Sequence, residues 1–297
     1  MGRKAFAVAA ADVNRDGRVD LLTANDSREK FAVLLGTGAG RFTVAHRYTG
    51  SGTTDVAVGD LNGDGNLDVA HGTTYHTNSV AVRLGVGDGT FAPAAAYKSG
   101  ADTYAVTLAD MNHDDKLDIA AANYGSSSVS VLLGAGDGSL GPRRWYRMGF
   151  PTEHELGFVD AVVVADFDRD GHSDVATSGY RKAKVRRGRG DGTLLRRHRI
   201  DLGDATGAIG GAAVADFNRD GWPDLALTES CEYREDPCGR NGALVFLNRT
   251  ARRRNPASSP GSHGGRCILR AHATCETAAA ASAPSARATR ARYARDA

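Results

Sequence analysis

From Ala5 to about residue 250 the chain is a succession of short apolar runs, each closed by a turn signal. The first run of each group is small and apolar: AFAVAAA (5–11), TDVAVG (54–59), TYAVTLA (103–109), AVVVA (161–165) and GAAVA (211–215). A second begins at an aspartate: DLLTAN (20–25), DVAHGT (68–73), DIAAAN (118–123), DVATSG (174–179) and DLALTE (224–229). A third follows: FAVLLG (31–36), VAVRLG (80–85), VSVLLG (129–134), AKVRRG (183–188) and ALVFLN (243–248). In the first four groups a glycine turn (GTGAGRF, GVGDGTF, GAGDGSL, GRGDGTL) leads into a fourth segment. Short runs bounded by such turns predict strands. No part of residues 1–250 shows the apolar period of a helix.

Four short strands per unit, repeated at near-constant spacing, is the make-up of a propeller blade. The prediction is an all-β propeller of about five four-stranded blades, near residues 5–49, 50–98, 99–148, 149–200 and 201–250. Residues 251–297 are rich in Ala, Arg, Ser and Pro without a period and are predicted to be a disordered tail, in which CILRAHATC (267–275) could supply the fourth strand that blade five lacks, although Arg270 and His272 make it a poor one.

Between first and second runs lie acidic loops whose first aspartates are 48, 50, 56 and 50 residues apart. Loop positions 1, 3, 5 and 9 are Asp12, Asn14, Asp16 and Asp20 in the first copy, and Asp60, Asn62, Asp64 and Asp68 in the second. They are Asp110, Asn112, Asp114 and Asp118 in the third, Asp166, Asp168, Asp170 and Asp174 in the fourth, and Asp216, Asn218, Asp220 and Asp224 in the fifth. Position 6 is glycine except at Asp115, which is therefore expected to adopt the left-handed turn conformation. Alternation of this kind points short oxygen-bearing side chains at one centre. The backbone carbonyl at position 7 (Arg18, Asn66, Lys116, His172, Trp222) is expected to join them. A hard cation with an oxygen-rich shell is the natural occupant, so about five Ca²⁺ are expected. Loop four should bind best because Asp168 adds a carboxylate, and loop three worst because of Asp115.

The formal net charge of +2 hides an uneven distribution. The five loops hold 17 of the 35 acidic residues, whereas residues 251–297 carry nine Arg against Glu276 and Asp296. Carboxylates a few Å apart repel by roughly a few kcal/mol per pair at an effective dielectric near 20, so metal binding should be coupled to folding. Residues 181–199 contain nine Lys or Arg and one Asp. Such a run reads as a solvated Arg-rich edge or an attractor of polyanions. It has no aromatic interleaving and no nucleic-acid motif, so no specific nucleic-acid partner is expected. No apolar stretch approaches the ~20 residues of a transmembrane helix.

The D-x-N-x-D-G-x-x-D loops and G-x-G-D-G-T-F turns together resemble FG-GAP (VCBS-type) repeats, found in the propellers of integrin α subunits and of bacterial surface proteins. The resemblance covers residues 5 to about 250. It implies that each acidic loop joins the first and second strands of a blade and cages one Ca²⁺. It further implies an extracellular or cell-surface module that binds carbohydrate or protein ligands. Propellers of this family usually carry more blades. The resemblance therefore leaves open a strained five-blade ring or an incomplete propeller that self-associates through an unclosed edge. Arg187 departs from the pattern, standing where the other blades have Leu35, Leu84, Leu133 and Leu247, and should weaken packing there. Arg189-Gly190-Asp191 spells an adhesion tripeptide but occupies a glycine-turn position.

Strand counting puts the remaining connectors on the face opposite the acidic loops, where variable loops usually carry binding. Tyr75, His76, Tyr104, Tyr124, His154, Tyr180 and Tyr233 all fall there and are the candidate ligand contacts. The competing reading is a propeller-type polysaccharide lyase or hydrolase with its site on that face. Glu153-His154-Glu155 is the one local acid–His–acid cluster. No G-x-S-x-G, H-E-x-x-H or phosphate loop is present, and the balance leans away from an enzyme. Cys231 and Cys238 flank six residues and read as a disulfide in an oxidising compartment or as two free thiols; Cys267 and Cys275 lie in the tail. MGRKAFAVAAA has the outline of a signal peptide, but Val8 and Ala10 align with Val56 and Val58, so it is read as the first strand of blade one.

Overall fold

The computed structural model describes residues 5–25, 29–49, 52–74, 78–148, 159–179, 182–204, 208–230, 242–248 and 269–271. Twenty strands form five antiparallel sheets of four. The first holds β1 (Ala5–Ala11), β2 (Asp20–Asn25), β3 (Glu29–Gly38) and β4 (Arg41–Thr49), in that order. The second holds β5 (Gly52–Gly59), β6 (Asp68–Thr74), β7 (Ser79–Arg83) and β8 (Ala95–Lys98). The third holds β9 (Thr103–Ala109), β10 (Asp118–Asn123), β11 (Ser128–Leu132) and β12 (Arg144–Arg147). The fourth holds β13 (Val159–Ala165), β14 (Asp174–Gly179), β15 (Lys182–Gly188) and β16 (Leu194–Asp204). The fifth holds β17 (Ala208–Ala215), β18 (Asp224–Ser230), β19 (Gly242–Asn248) and β20 (Leu269–Ala271).

Each sheet is one propeller blade. β1 packs against β5, β5 against β9, β9 against β13 and β13 against β17, so the blades follow one another by their first strands. Among the described residues no comparable packing joins β17 back to β1. Residues 5–11 of the signal-like stretch form β1, paired in register with β2 from Ala7↔Ala24 to Ala11↔Asp20.

The core lies between blades. Alternation sends one face of each second and third strand toward the preceding blade and the other toward the next. Phe31 and Val33 of blade one meet Val56, Val69 and Phe91 of blade two. Val80 and Val82 meet Val106 and Ile119 at the next interface. Val129, Val131, Val162 and Val175 fill the third, and Val185, Leu225 and Phe246 the fourth.

Two expectations are corrected here. Leu269–Ala271, in a tail segment expected to make only a poor strand, pairs with Phe246–Asn248 as the fourth strand of blade five. The open edge of β19 supplies unpaired backbone groups, and a short tail segment satisfies some of them. The basic run of blade four is not a solvated edge throughout. Lys184 and Arg186 are only 5% and 6% exposed, because these alternate positions of β15 face blade three. There Lys184 donates to the Met148 carbonyl (3.1 Å), and Arg186 donates to the carbonyls of Arg147 and Leu195. The Cys residues and Glu153-His154-Glu155 lie outside the described residues.

Candidate metal centres and the opposite face

All five acidic loops close by one hydrogen-bond scheme. The position-6 N–H donates to Oδ2 of the position-1 aspartate: Gly17 to Asp12 (2.8 Å), Gly65 to Asp60 (2.9 Å), Asp115 to Asp110 (2.9 Å), Gly171 to Asp166 (2.8 Å) and Gly221 to Asp216 (2.7 Å). The position-7 N–H of Arg18, Asn66, Lys116, His172 and Trp222 donates to Oδ1 of Asp16, Asp64, Asp114, Asp170 and Asp220. Asp115 holds the left-handed conformation expected of it, with φ of 61°. Sequence reasoning missed that position 4 is left-handed too, at Arg15, His113, Arg169 and Arg219; Gly63 in the second copy was the available signal.

The position-9 aspartates are the anchors. Asp20, Asp68, Asp118, Asp174 and Asp224 are fully buried. Each accepts two backbone hydrogen bonds, one from loop position 2 and one from the end of the third strand. For Asp68 the donors are Leu61 (2.8 Å) and Gly85 (2.7 Å); for Asp174 they are Phe167 (2.9 Å) and Gly188 (2.8 Å). One carboxylate thus ties a loop to two strands.

These carboxylates also sit beside others. Burial, with the charges of Asp64 and Asp60, raises the Asp68 pKa; burial with Asp114 and Asp110 does the same for Asp118. Burial, reinforced by Asp168 and Asp170 against the two hydrogen bonds, pushes the Asp174 carboxyl up to about 7. Crowded carboxylates that resist ionisation are what a bound cation relieves. In loop four, Asp166, Asp168 and Asp174 each bring an oxygen within 4.8 Å of the others, and Asp168 Oδ1 is buried without a hydrogen-bond partner among the described residues. The donor set fits a hard cation, which Asp166, Asp168, Asp170 and Asp174 would hold in that loop.

Loop four also holds a rival cation. The Arg187 guanidinium touches Asp168 Oδ2 and donates to Asp170 Oδ2 at 2.9 Å. Arg187 was expected only to loosen the packing of its strand; its side chain instead turns into the loop.

Neighbouring loops touch through positions 4 and 7. Arg15 donates to Asn66 Oδ1 (3.3 Å), His113 Nε2 lies 3.1 Å from His172 Nδ1, and Arg169 stacks over the Trp222 ring at 4.3 Å. The glycine turns lock onto the same face. Gly89, Gly138 and Gly192 donate to the carbonyls of Val13, Leu61 and Met111 in the preceding blade's loop. Asp191 accepts from the Thr193 N–H at 2.8 Å, as Asp88 does from Thr90, so the adhesion tripeptide forms an ordinary glycine turn.

A profile of the FG-GAP-like repeat matches residues 4–71, 110–177 and 166–227. The chain belongs to the FG-GAP-like repeat family. A search of curated proteins finds no match. Among solved structures, a lectin of Agrocybe aegerita described as recognising non-reducing terminal N-acetylglucosamine shares 20% identity over 80% of this chain, at a TM-score of 0.49. The chain spans 65% of that lectin's length. A Bacteroides caccae protein of unknown function shares 12% identity, covering 82% of this chain and 77% of its own, at a TM-score of 0.50. A Lactobacillus plantarum protein shares 10%, with 90% and 81% covered, also at 0.50. At these identities the likeness is one of fold.

On the opposite face of this FG-GAP chain, Tyr104 and Tyr124 come together, their rings stacked at 5.0 Å between centroids. Tyr75, His76, His154, Tyr180 and Tyr233 lie outside the described residues. No helix among the described residues is long and apolar enough to cross a membrane.

Proposed function

We propose that this FG-GAP chain is a Ca²⁺-stabilised propeller that works outside the cell as a binding module for carbohydrate, with the metal loops on one face and the ligand on the other. The observation that carries the reading is the repeated loop geometry: five cages built on one scheme, each with a fully buried aspartate among further acidic groups. Such cages cost stability when empty and return it when filled. The stacked pair Tyr104 and Tyr124 supplies an aromatic surface suited to a sugar ring on the other face. Extracellular Ca²⁺ modules bind at roughly 10⁻⁴–10⁻³ M, so at several mM each site should contribute about 1–2 kcal/mol by mass action.

Differential scanning calorimetry in Ca²⁺ and in EDTA tests the metal half. A large fall in melting temperature on chelation is expected, and an unchanged melt refutes it. A glycan array probed in Ca²⁺ tests the ligand half, and a blank array refutes that.

A further inference from the structure

Blades one and two do not fill the space between them as their siblings do. A cavity of about 650 Å³ lies there, walled by Phe31 and Tyr48 from blade one and by Thr53, His71, Ser79 and Arg83 from blade two, with Lys98 at its rim. Thr49 at the end of β4, Thr53 near the start of β5 and Ser79 at the start of β7 line it, toward the end of the blades away from the acidic loops. The volume is of the size that takes a small ligand.

The other interfaces show what is missing. His71 pairs with Ala81 as Thr177 pairs with Lys184 two interfaces further on. In blade four the Lys184 side chain fills the site and caps the Met148 carbonyl. Between blades two and three, where Ala121 pairs with Ser130, a polar network fills it: Asn123 donates to Ser128 (3.1 Å) and Ser130 (3.0 Å) and accepts from Thr103 (3.0 Å). At blade two the small Ala81 leaves a hollow, and two polar groups on its wall are left over. His71 is 6% exposed, and among the described residues neither its Nε2 nor the buried Nε of Arg83 has a partner. Buried polar atoms are rarely left unpaired without a reason.

The chemistry of the wall is specific. Burial, with the Arg83 charge beside it, lowers the His71 pKa to about 4, so at neutral pH its imidazole is an uncharged hydrogen-bonding group. Arg83 lies over the Tyr48 ring at 5.0 Å, which holds its guanidinium in place, and donates to the Ala92 carbonyl at 3.1 Å. Among the described residues, the lining has cations and hydroxyls and no carboxylate. The rings of Phe31 and Tyr48, 5.2 Å apart and tilted by 33°, offer an apolar wall.

We propose that this inter-blade pocket binds a carboxylated sugar: one hexuronate unit, its carboxylate against Arg83, a hydroxyl on His71 Nε2 and an apolar ring face against Phe31 and Tyr48. The inference rests on the carbohydrate-binding reading above and narrows it to an acidic sugar at a named place. Charge-assisted pairing with Arg83 gives the acid its advantage over the neutral sugar.

Titration calorimetry of the full chain in Ca²⁺ buffer, with glucuronate, galacturonate, glucose, galactose and inorganic phosphate, tests it. A uronate should bind at least about tenfold more tightly than its neutral counterpart, the difference one charge-assisted contact makes. Phosphate should bind more weakly than either acid. Each variant borrows a residue that a sibling blade already accommodates at the same register. Arg83→Leu, as at Leu132, should abolish the preference for the acid. Ala81→Lys, as at Lys184, should fill the cavity and abolish binding, and His71→Thr should weaken it; an unchanged melt confirms folding in each. Equal binding of acid and neutral sugars, no binding of uronate, phosphate binding as tight as uronate, or full binding by Ala81→Lys would overturn the proposal. Glycan-array binding that survives Ala81→Lys would overturn the pocket alone and leave the broader carbohydrate reading intact.

Discussion

Blades two and four fold the same acidic loop and balance its charge in different ways. In blade two, position 3 is Asn62, whose Nδ2 donates to Asp64 Oδ2 at 3.0 Å. Leu84, just past the end of the third strand, packs beneath the glycine turn of blade three at Gly138. In blade four both positions change together: Asp168 adds a carboxylate and Arg187 adds a guanidinium that touches it. Blade three repeats the blade-two arrangement, with Leu133 beneath Gly192 of blade four. Blade five has no glycine turn in its sequence to cover position 187. A leucine there would lack its lid, and an arginine is free to turn back into its own loop. The difference teaches that a residue's role in a repeat is set by the next repeat as much as by its own.

The largest effect is expected where the leucine lid is broken. A Cβ on Gly138 would stand 2.5 Å from Leu84 Cδ2, and its φ of +82° is one that side chains avoid. Left-handed strain of roughly 1–2 kcal/mol and overpacking of roughly 1–3 kcal/mol make Gly138→Ala cost about 3 kcal/mol. In the Leu84→Ala background the steric part should vanish and about half the cost remain. Denaturant unfolding measures both; equal costs in the two backgrounds would show that Leu84 is not what the turn protects.

A smaller effect of changing sign should follow Arg187→Leu. Without metal, the substitution strips Asp168 and Asp170 of their counter-ion and should lower stability. With Ca²⁺, it removes a competitor and should raise the affinity of loop four about tenfold, equivalent to ~1.4 kcal/mol. The double variant Asp168→Asn with Arg187→Leu rebuilds loop two inside blade four and should return affinity to the sibling value. A double-mutant cycle by calorimetry reads the coupling directly. Additive single effects would mean that the contact carries no energy.

Strand existence and order were legible in the sequence because period and turn chemistry agree in every repeat. The loops were legible because Asp, Asn and Gly at fixed spacing serve one geometry. What escaped reading lies between repeats. Lys184 and Arg186 look like solvent-facing cations until blade three is set against them, and their carbonyl partners at Met148, Arg147 and Leu195 carry no sequence signal. Arg187 was compared with the leucines at its own register but not with Asp168, its neighbour across the loop. The hollow at Ala81 is visible only by contrast with the lysine that fills the equivalent site. The strand at Leu269–Ala271 is short and carries Arg270, so edge pairing and not pattern placed it.

The smallest effect belongs to loop three, which differs from loop two at position 6. Asp115 holds φ of 61°, where Gly65 of loop two holds 82°. An aspartate there bears left-handed strain, less than the roughly 1–2 kcal/mol of an ordinary side chain because Asp tolerates that region. Glycine relieves the strain but adds unfolded-chain entropy of about 0.5–1 kcal/mol. It also removes one negative charge from a loop already holding Asp110, Asp114 and Asp118, and it keeps the N–H that donates to Asp110 at 2.9 Å. Strain relief and reduced repulsion both favour glycine in metal-free protein, so Asp115→Gly should stabilise it by about 0.5 kcal/mol net. In saturating Ca²⁺ the charge contribution is already neutralised and the gain should shrink toward zero. Melting curves with and without Ca²⁺ separate the two. A gain of equal size in both conditions would assign it to backbone strain alone, and a loss in both would show that Asp115 itself helps to hold the ion.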